Sequence, residues 1–222
     1  MDLLGLEEQS KGCESCPLAK QGRTQVVFGD GNPDADIMFI GEGPGFYEDK
    51  NGKPFVGAAG KLLTQLLESI GLKREDVYIT NVVKCRPPQN RDPKPDEIDI
   101  CTNRYLFSQI KLINPKVIAT LGRFASSVIL DMKDVSMGRV HGQKFIKDGS
   151  LVVPIYHPAA ALHSRANLVP LTEDFKKLKA YVGENVKLQE KAQDTTGDIT
   201  KDNLAQEQQI GMEPQVEQMG LF

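Results

Sequence analysis

The chain has 222 residues, 40% of them hydrophobic and 26% charged, the balance of a folded globular protein rather than a disordered, collagen-like or coiled-coil one. No stretch approaches the ~20 apolar residues that a membrane-spanning helix needs. The net charge of −3 is uneven. Residues 183–222 hold eight acids and three bases, a net −5, while the rest holds 24 bases and 22 acids, a net +2. A mildly basic body permits a nucleic-acid partner without demanding one.

The N-terminus is acidic and lacks a basic, apolar leader, so a secretory signal is not expected and the cytoplasm is the expected compartment. Cys13 and Cys16 follow at the spacing of a compact chelate. The first apolar run, Asp36 to Ile40, reads as a buried strand. It leads into the glycine turn Gly41-Glu42-Gly43-Pro44-Gly45. A helix pattern follows, with Leu62, Leu63, Leu66, Leu67 and Ile70 on one face and Gly71 as its stop. A second strand, Val77 to Thr80, ends at Asn81. A helix from about Pro95 to Ile110 carries Ile98, Cys101, Tyr105 and Leu106 at helical spacing.

The third strand, Lys116 to Thr120, leads through Gly122-Arg123 into a helix with Ala125, Val128 and Ile129. The fourth, Leu151 to Tyr156, contains Pro154, which suits an edge or a bulge, and runs into His157-Pro158. A last helix, near Thr172 to Val182, places Phe175, Leu178 and Val182 on one side. Strands alternating with helices argue a doubly wound α/β domain over residues 1–182. From Gly183 to 217 the composition turns to Gln, Glu, Asp, Lys and Thr, which predicts a flexible acidic linker. The residues 218–222 stand apart as an apolar terminus.

In such sheets ligands bind at the carboxyl ends of the strands. Glu42, Asn81 and His157 each follow a strand, so they converge at one edge. A glycine turn, a lone Asn or a His-Pro pair is each ordinary in a loop. Their convergence is what points to a site. An amide and an imidazole there suit reading a heterocycle or stabilising a developing anion. His141, between glycines, reads as a loop residue rather than a ligand. The four cysteines, Cys13, Cys16, Cys85 and Cys101, suit one four-thiolate site, either zinc or iron–sulfur. The lesser reading is that Cys101, on the apolar face of a helix, is a core thiol.

The segments Cys13-Glu14-Ser15-Cys16-Pro17-Leu18, Gly41 to Gly45, Gly52-Lys53-Pro54-Phe55-Val56-Gly57, Thr80-Asn81-Val82-Val83-Lys84-Cys85-Arg86-Pro87-Pro88 with Asn90-Arg91, and His157-Pro158 together resemble the family-four, iron–sulfur uracil-DNA glycosylases. The likeness runs from Cys13 to about Val182. It implies a three-layer α/β/α sandwich on a four-stranded parallel sheet and a [4Fe–4S] cluster on the four cysteines. It implies cleavage of the N-glycosidic bond of deoxyuridine in DNA, with the base flipped out of the stack.

In the family pattern Phe55 stacks on the uracil. The Asn81 amide matches the O4 and N3–H edge that cytosine inverts. The turn with Gly41 and Gly43, together with Glu48, walls out the thymine methyl. His157 donates to O2 as charge develops there. Glu42 holds the attacking water or stabilises the sugar cation. No His stands in the Lys84-Cys85-Arg86-Pro87-Pro88 loop, so ordinary turnover is expected rather than covalent trapping.

Two regions are expected to grip DNA. One is the loop with Leu162 as a wedge and Arg165 on phosphate; the other is the strip Lys84, Arg86, Arg91 and Lys94. The terminus Gln218-Met219-Gly220-Leu221-Phe222 is similar to the short bacterial peptide that binds the sliding β-clamp, with Gln218, Met219, Leu221 and Phe222 as its contacts. The chain is expected to act as a monomer. The alternatives are a glycosylase of broader range over deaminated bases, and a non-catalytic iron–sulfur protein tethered to DNA or the clamp.

Overall fold

The structure is a computed structural model that describes residues 1–183; the expected linker and terminal peptide lie outside them. In chain order the elements are helix α1 (Leu3–Lys11), strand β1 (Asp30–Gly31), β2 (Ile37–Gly41), helix α2 (Phe46–Asn51), α3 (Ala58–Ser69), β3 (Tyr78–Asn81), α4 (Pro95–Cys101), α5 (Phe107–Ile113), β4 (Val117–Leu121), α6 (Arg123–Leu130), α7 (Met137–Val140), β5 (Phe145–Lys147), β6 (Ser150–Ile155) and α8 (Pro158–His163). A last helix, α9, covers 168–183.

The strands form one mixed sheet in the order β1-β3-β2-β4-β6-β5. The four expected strands are its parallel centre, β3-β2-β4-β6. The expected count of four is corrected to six, because β1 and β5 add antiparallel edges. Those edges are two and three residues long and only partly buried, too short to show a period of their own. Pro154 pairs with β4, at Thr120, while the ladder from β5 stops at Val152. The proline therefore stands where β6 has run past its edge neighbour, and its missing N–H leaves no gap in a ladder.

Side chains alternate across the central strands and divide the core in two. Ile37 and Phe39 face the layer that holds Leu63, Leu66 and Leu67 of α3 and Leu171, Phe175 and Leu178 of α9. Phe39 and Phe175 stack with ring centres 5.7 Å apart. Met38 and Ile40 face Leu6 of α1, Tyr105, Leu106 and Ile113, and Ala125 and Ile129 of α6. The result is the expected α/β/α sandwich. The helix expected from Pro95 to Ile110 contains a π turn at Thr102–Leu106, immediately after Cys101.

No helix among the described residues is long and apolar enough to cross a membrane.

Candidate active site and cysteine cavity

The carboxyl ends of β2, β3 and β6 open into a cleft of about 560 Å³, lined among others by Glu42, Gly43, Glu48, Phe55, Asn81 and His157. The ladder between β2 and β3 continues one step into the loops, with the Val83 N–H donating to the Glu42 carbonyl at 3.1 Å. That continuation fixes the glycine turn over Asn81. Gly41 is required by packing: a Cβ there would stand 2.5 Å from the Asn81 side-chain oxygen and 2.6 Å from the Phe55 ring.

Phe55 is held in the left-handed region, at φ 53°, a conformation that costs a non-glycine residue on the order of 1 kcal/mol. The surroundings enforce it. Arg74 donates to the Phe55 carbonyl at 3.0 Å and to the Pro54 carbonyl at 2.9 Å. Glu48 Oε1 accepts from the main-chain N–H of Val56 and Gly57 at 3.0 and 2.9 Å. Glu48 thus lines the cleft and also clamps the loop that presents the Phe55 ring.

Asn81 is 1% exposed, and its side-chain oxygen is buried with no hydrogen-bond partner. A buried orphan acceptor costs roughly 1–3 kcal/mol unless something supplies a donor. His157 lies with its ring centre 5.6 Å from that of Phe55. Its Nδ1 accepts from the Ala159 N–H at 3.1 Å, so the ring proton belongs on Nε2. Burial lowers its pKa to about 4, against a weaker opposing pull from Glu48. The imidazole is therefore neutral at pH 7, with Nε2–H as its donor. Gly122, at φ 87°, makes room for it: a Cβ there would meet the His157 Cβ at 3.1 Å.

Glu42 has its pKa raised to about 7, first by burial and then by the charge of Asp92, while Arg123 opposes the rise. His141 is placed as expected, away from the cleft. Its Nδ1 meets the buried carboxylate of Asp174 at 2.9 Å, and its ring packs on Tyr156, next to His157, at 4.5 Å.

On the other side of β3, Cys13, Cys16, Cys85 and Cys101 all line one small cavity, together with Lys84, Arg104 and Tyr105. Arg23 donates to Cys85 Sγ at 2.8 Å and to the Cys13 carbonyl at 2.6 Å, and the Lys84 N–H donates to Cys101 Sγ at 3.3 Å. Burial pushes the thiols of Cys16, Cys85 and Cys101 up, that of Cys101 to about 11. Burial also pulls Cys13 upward, but hydrogen bonds from Tyr105 and Ser15 outweigh it. Among the described residues no group of three His, Cys, Asp or Glu could hold a single metal ion. Four thiols around one cavity beside the Arg23 and Arg104 guanidiniums fit a negatively charged group bound through thiolate.

The expected DNA-gripping strip is only partly at the surface. Lys84 is a correction: it is 1% exposed, with its ammonium donating to Thr80 Oγ1 and the Asn81 carbonyl, both at 2.6 Å. Arg91 lines the cleft but is committed to Glu97 through two bonds of 2.7 and 2.9 Å. Arg86 bonds Asn90 and sits over the Phe46 ring. Lys94, Leu162 and Arg165 are exposed, and α8 also supplies Ala159 and His163 to the cleft lining. Sequence reading missed Arg74, Arg23 and the pair Phe46-Tyr47; it placed Gly122 between a strand and a helix but gave it no role.

A family model described as the uracil DNA glycosylase superfamily matches residues 28–182. A type-4 uracil-DNA glycosylase of Thermotoga maritima is 48% identical over 180 residues, covering 80% of this chain and 93% of that protein. One of Sulfurisphaera tokodaii is 50% identical over 182 residues, with 78% and 82% covered. One of Saccharolobus solfataricus is 50% identical over 188 residues, with 81% and 86% covered.

Proposed function

Because the chain belongs to the uracil-DNA glycosylase superfamily, and within it to the type-4 enzymes, we propose that it flips uracil out of DNA and hydrolyses the N-glycosidic bond. Free uracil is released, and the abasic site left behind enters base excision repair in the cytoplasm. The observation that carries this reading is the unpartnered buried oxygen of Asn81 in the cleft beside Phe55 and His157. Uracil N3–H is the donor that oxygen lacks, and the Asn81 amide N–H meets O4. Cytosine offers the reverse pair and would leave both groups unmet.

The mechanism follows from the protonation states. Phe55 takes the flipped base on its face, an interaction worth roughly 1–3 kcal/mol. As the bond to the sugar breaks, its electron pair moves onto the uracil. The Nε2–H of neutral His157 is a preorganised donor for the O2 where that charge collects. Glu42, as carboxylate, faces the sugar that becomes cationic, or holds the water that attacks it. The reaction leans on stabilising the leaving group, and the chain acts as a monofunctional glycosylase.

Cys13, Cys16, Cys85 and Cys101 would hold a [4Fe–4S] cluster, whose iron–thiolate bonds staple the N-terminal segment to the body. Leu162 and Arg165 serve as wedge and phosphate contact at the rim. The terminal Gln218, Met219, Leu221 and Phe222 bind the bacterial sliding β-clamp, with residues 183–217 as a tether that raises the effective concentration at nearby DNA.

The test is uracil release from a single-uracil oligonucleotide, read as strand scission after alkali. Scission at uracil and not at thymine or cytosine, lost in Asn81→Ala, supports the reading. Iron-loaded wild-type protein that cuts nothing overturns it. Deletion of residues 218–222 should abolish clamp binding and leave release from short oligonucleotides unchanged. Clamp binding that survives the deletion overturns the tether.

A further inference from the structure

We propose that Phe46 and Tyr47 form a stacking platform for a DNA base that flanks the flipped nucleotide, an inference that rests on the glycosylase reading above. Both residues follow directly on Pro44 and Gly45, which line the cleft. Phe46 is 43% and Tyr47 61% exposed. Their rings meet edge to face, with centres 5.5 Å apart and planes at 82°. Single exposed apolar side chains are ordinary on a protein surface. Two adjoining aromatic rings at the mouth of a catalytic cleft are not.

Charge selects the occupant. Lys50 Nζ stands 4.6 Å from the centre of the Phe46 ring and the Arg86 guanidinium 5.1 Å from it. The acids of the same helix are turned away from this face. Asp49 is buried and accepts the Thr24 N–H at 2.8 Å. Glu48 is committed to the Val56 and Gly57 N–H groups. The outward face of α2 therefore presents the exposed Tyr47 ring beside a Phe46 ring that carries two cations, the combination that binds a polyanion carrying flat bases. A strand whose uracil sits in the cleft must carry its neighbouring nucleotides out past the mouth. Their phosphates then meet Lys50 and Arg86, and a neighbouring base meets the rings.

The test uses the full chain and single-stranded oligonucleotides carrying one 2′-fluoro deoxyuridine, whose glycosidic bond resists cleavage. The nucleotides on either side carry thymine or no base. Wild-type protein should bind the thymine-flanked strand roughly 5- to 150-fold tighter than the base-free one, as one stacked base implies. Phe46→Ala/Tyr47→Ala should bind both strands as weakly as wild type binds the base-free one. Tyr47→Ala alone, whose ring is mostly in solvent, gives a partial loss of the preference and keeps the test decisive if the double variant folds poorly. Lys50→Gln should lower the slope of log affinity against log salt by about 0.7. A wild type indifferent to the flanking bases, or variants that keep the preference, overturn the platform. Uracil release from an unmodified strand is run in parallel. Its absence overturns the glycosylase reading, whereas release without a flanking preference overturns only the platform.

Discussion

The ammonium of Lys84 lies 2.6 Å from the main-chain carbonyl oxygen of Asn81, the residue whose amide faces the cleft. The same ammonium donates to Thr80 Oγ1, which donates onward to the Phe28 carbonyl at 2.7 Å. The Lys84 N–H, at the other end of the residue, donates to Cys101 Sγ. One buried lysine thus touches both the peptide of Asn81 and the cysteine cavity. Lys84→Met keeps the shape and leaves two buried acceptors short of a donor, at roughly 1–3 kcal/mol each. In a domain of this size each kcal/mol lowers Tm by about 2–4 °C. We expect a Tm lower by about 4–24 °C and at least about tenfold slower uracil release, since the Asn81 peptide loses its anchor. A melt that matches wild type would contradict the arrangement.

Glu42 carries an opposing pair of consequences for pH. Its pKa is raised to about 7 in the folded chain and lies near 4.3 when unfolded. Below pH 4 the group is protonated in both states and costs nothing. As pH rises toward 7 the unfolded state ionises first, so folding loses stability across that window, and the full cost is present above pH 7. Glu42→Gln should therefore melt above wild type at pH 8, with the gap closing by pH 4–5. On the proposed mechanism uracil release needs the carboxylate, so the wild-type rate should climb through pH 7 and the variant's lower rate should not. A Gln variant that is less stable than wild type at pH 8 would refute this.

The centre of the fold was legible because strands buried on both faces read as unbroken apolar runs, as in Ile37 to Ile40. The site residues Glu42, Asn81 and His157 were legible because a strand end fixes where the next residue points. What stayed hidden depends on distance in sequence. Arg74 reaches back 19 residues to the Phe55 carbonyl, and no spacing encodes such a contact. Lys84 misled for a physical reason. A lysine in a loop with Arg86 and Arg91 reads as surface charge, and only its bonds to Thr80 and Asn81 explain why burial is tolerated.

Phe55 separates binding from strain. Phe55→Ala removes the ring but keeps a side chain in the left-handed conformation, while Phe55→Gly removes the ring and the strain together. Both should lose the base-stacking contribution, a fall of roughly 10- to 100-fold in kcat/KM. The Gly variant should still melt about 2–4 °C above the Ala variant, as about 1 kcal/mol of relieved strain implies. Equal melting temperatures would mean that the Arg74 and Glu48 clamps do not hold the backbone at φ 53°.

If the four cysteines hold the proposed cluster, it ties the N-terminal segment to the body, and its loss should be felt first there. Leu6 and Leu18 are buried in the layer that Met38 and Ile40 face, and Arg23 bridges Cys85 and the Cys13 carbonyl. The rest of the anchoring would fall to Cys13 and Cys16, which line the same cavity as Cys85 and Cys101 and would be joined to them by the proposed cluster. Without such a cluster the two would be ordinary thiols at a partly exposed edge. Opening of the segment should then cost less free energy than global unfolding. Chelation under reducing conditions, or Cys101→Ser, should bleach the visible absorbance and speed tryptic cleavage after Lys20 and Arg23 by about tenfold or more, the change that ~1.4 kcal/mol of lost local stability produces. Cleavage within the sheet should follow later. Because Lys84 adjoins Cys85 and anchors Asn81, uracil release should fall in step with the absorbance. A bleached protein that resists trypsin as well as the coloured one would show that Leu6, Leu18 and Arg23 hold the segment by themselves.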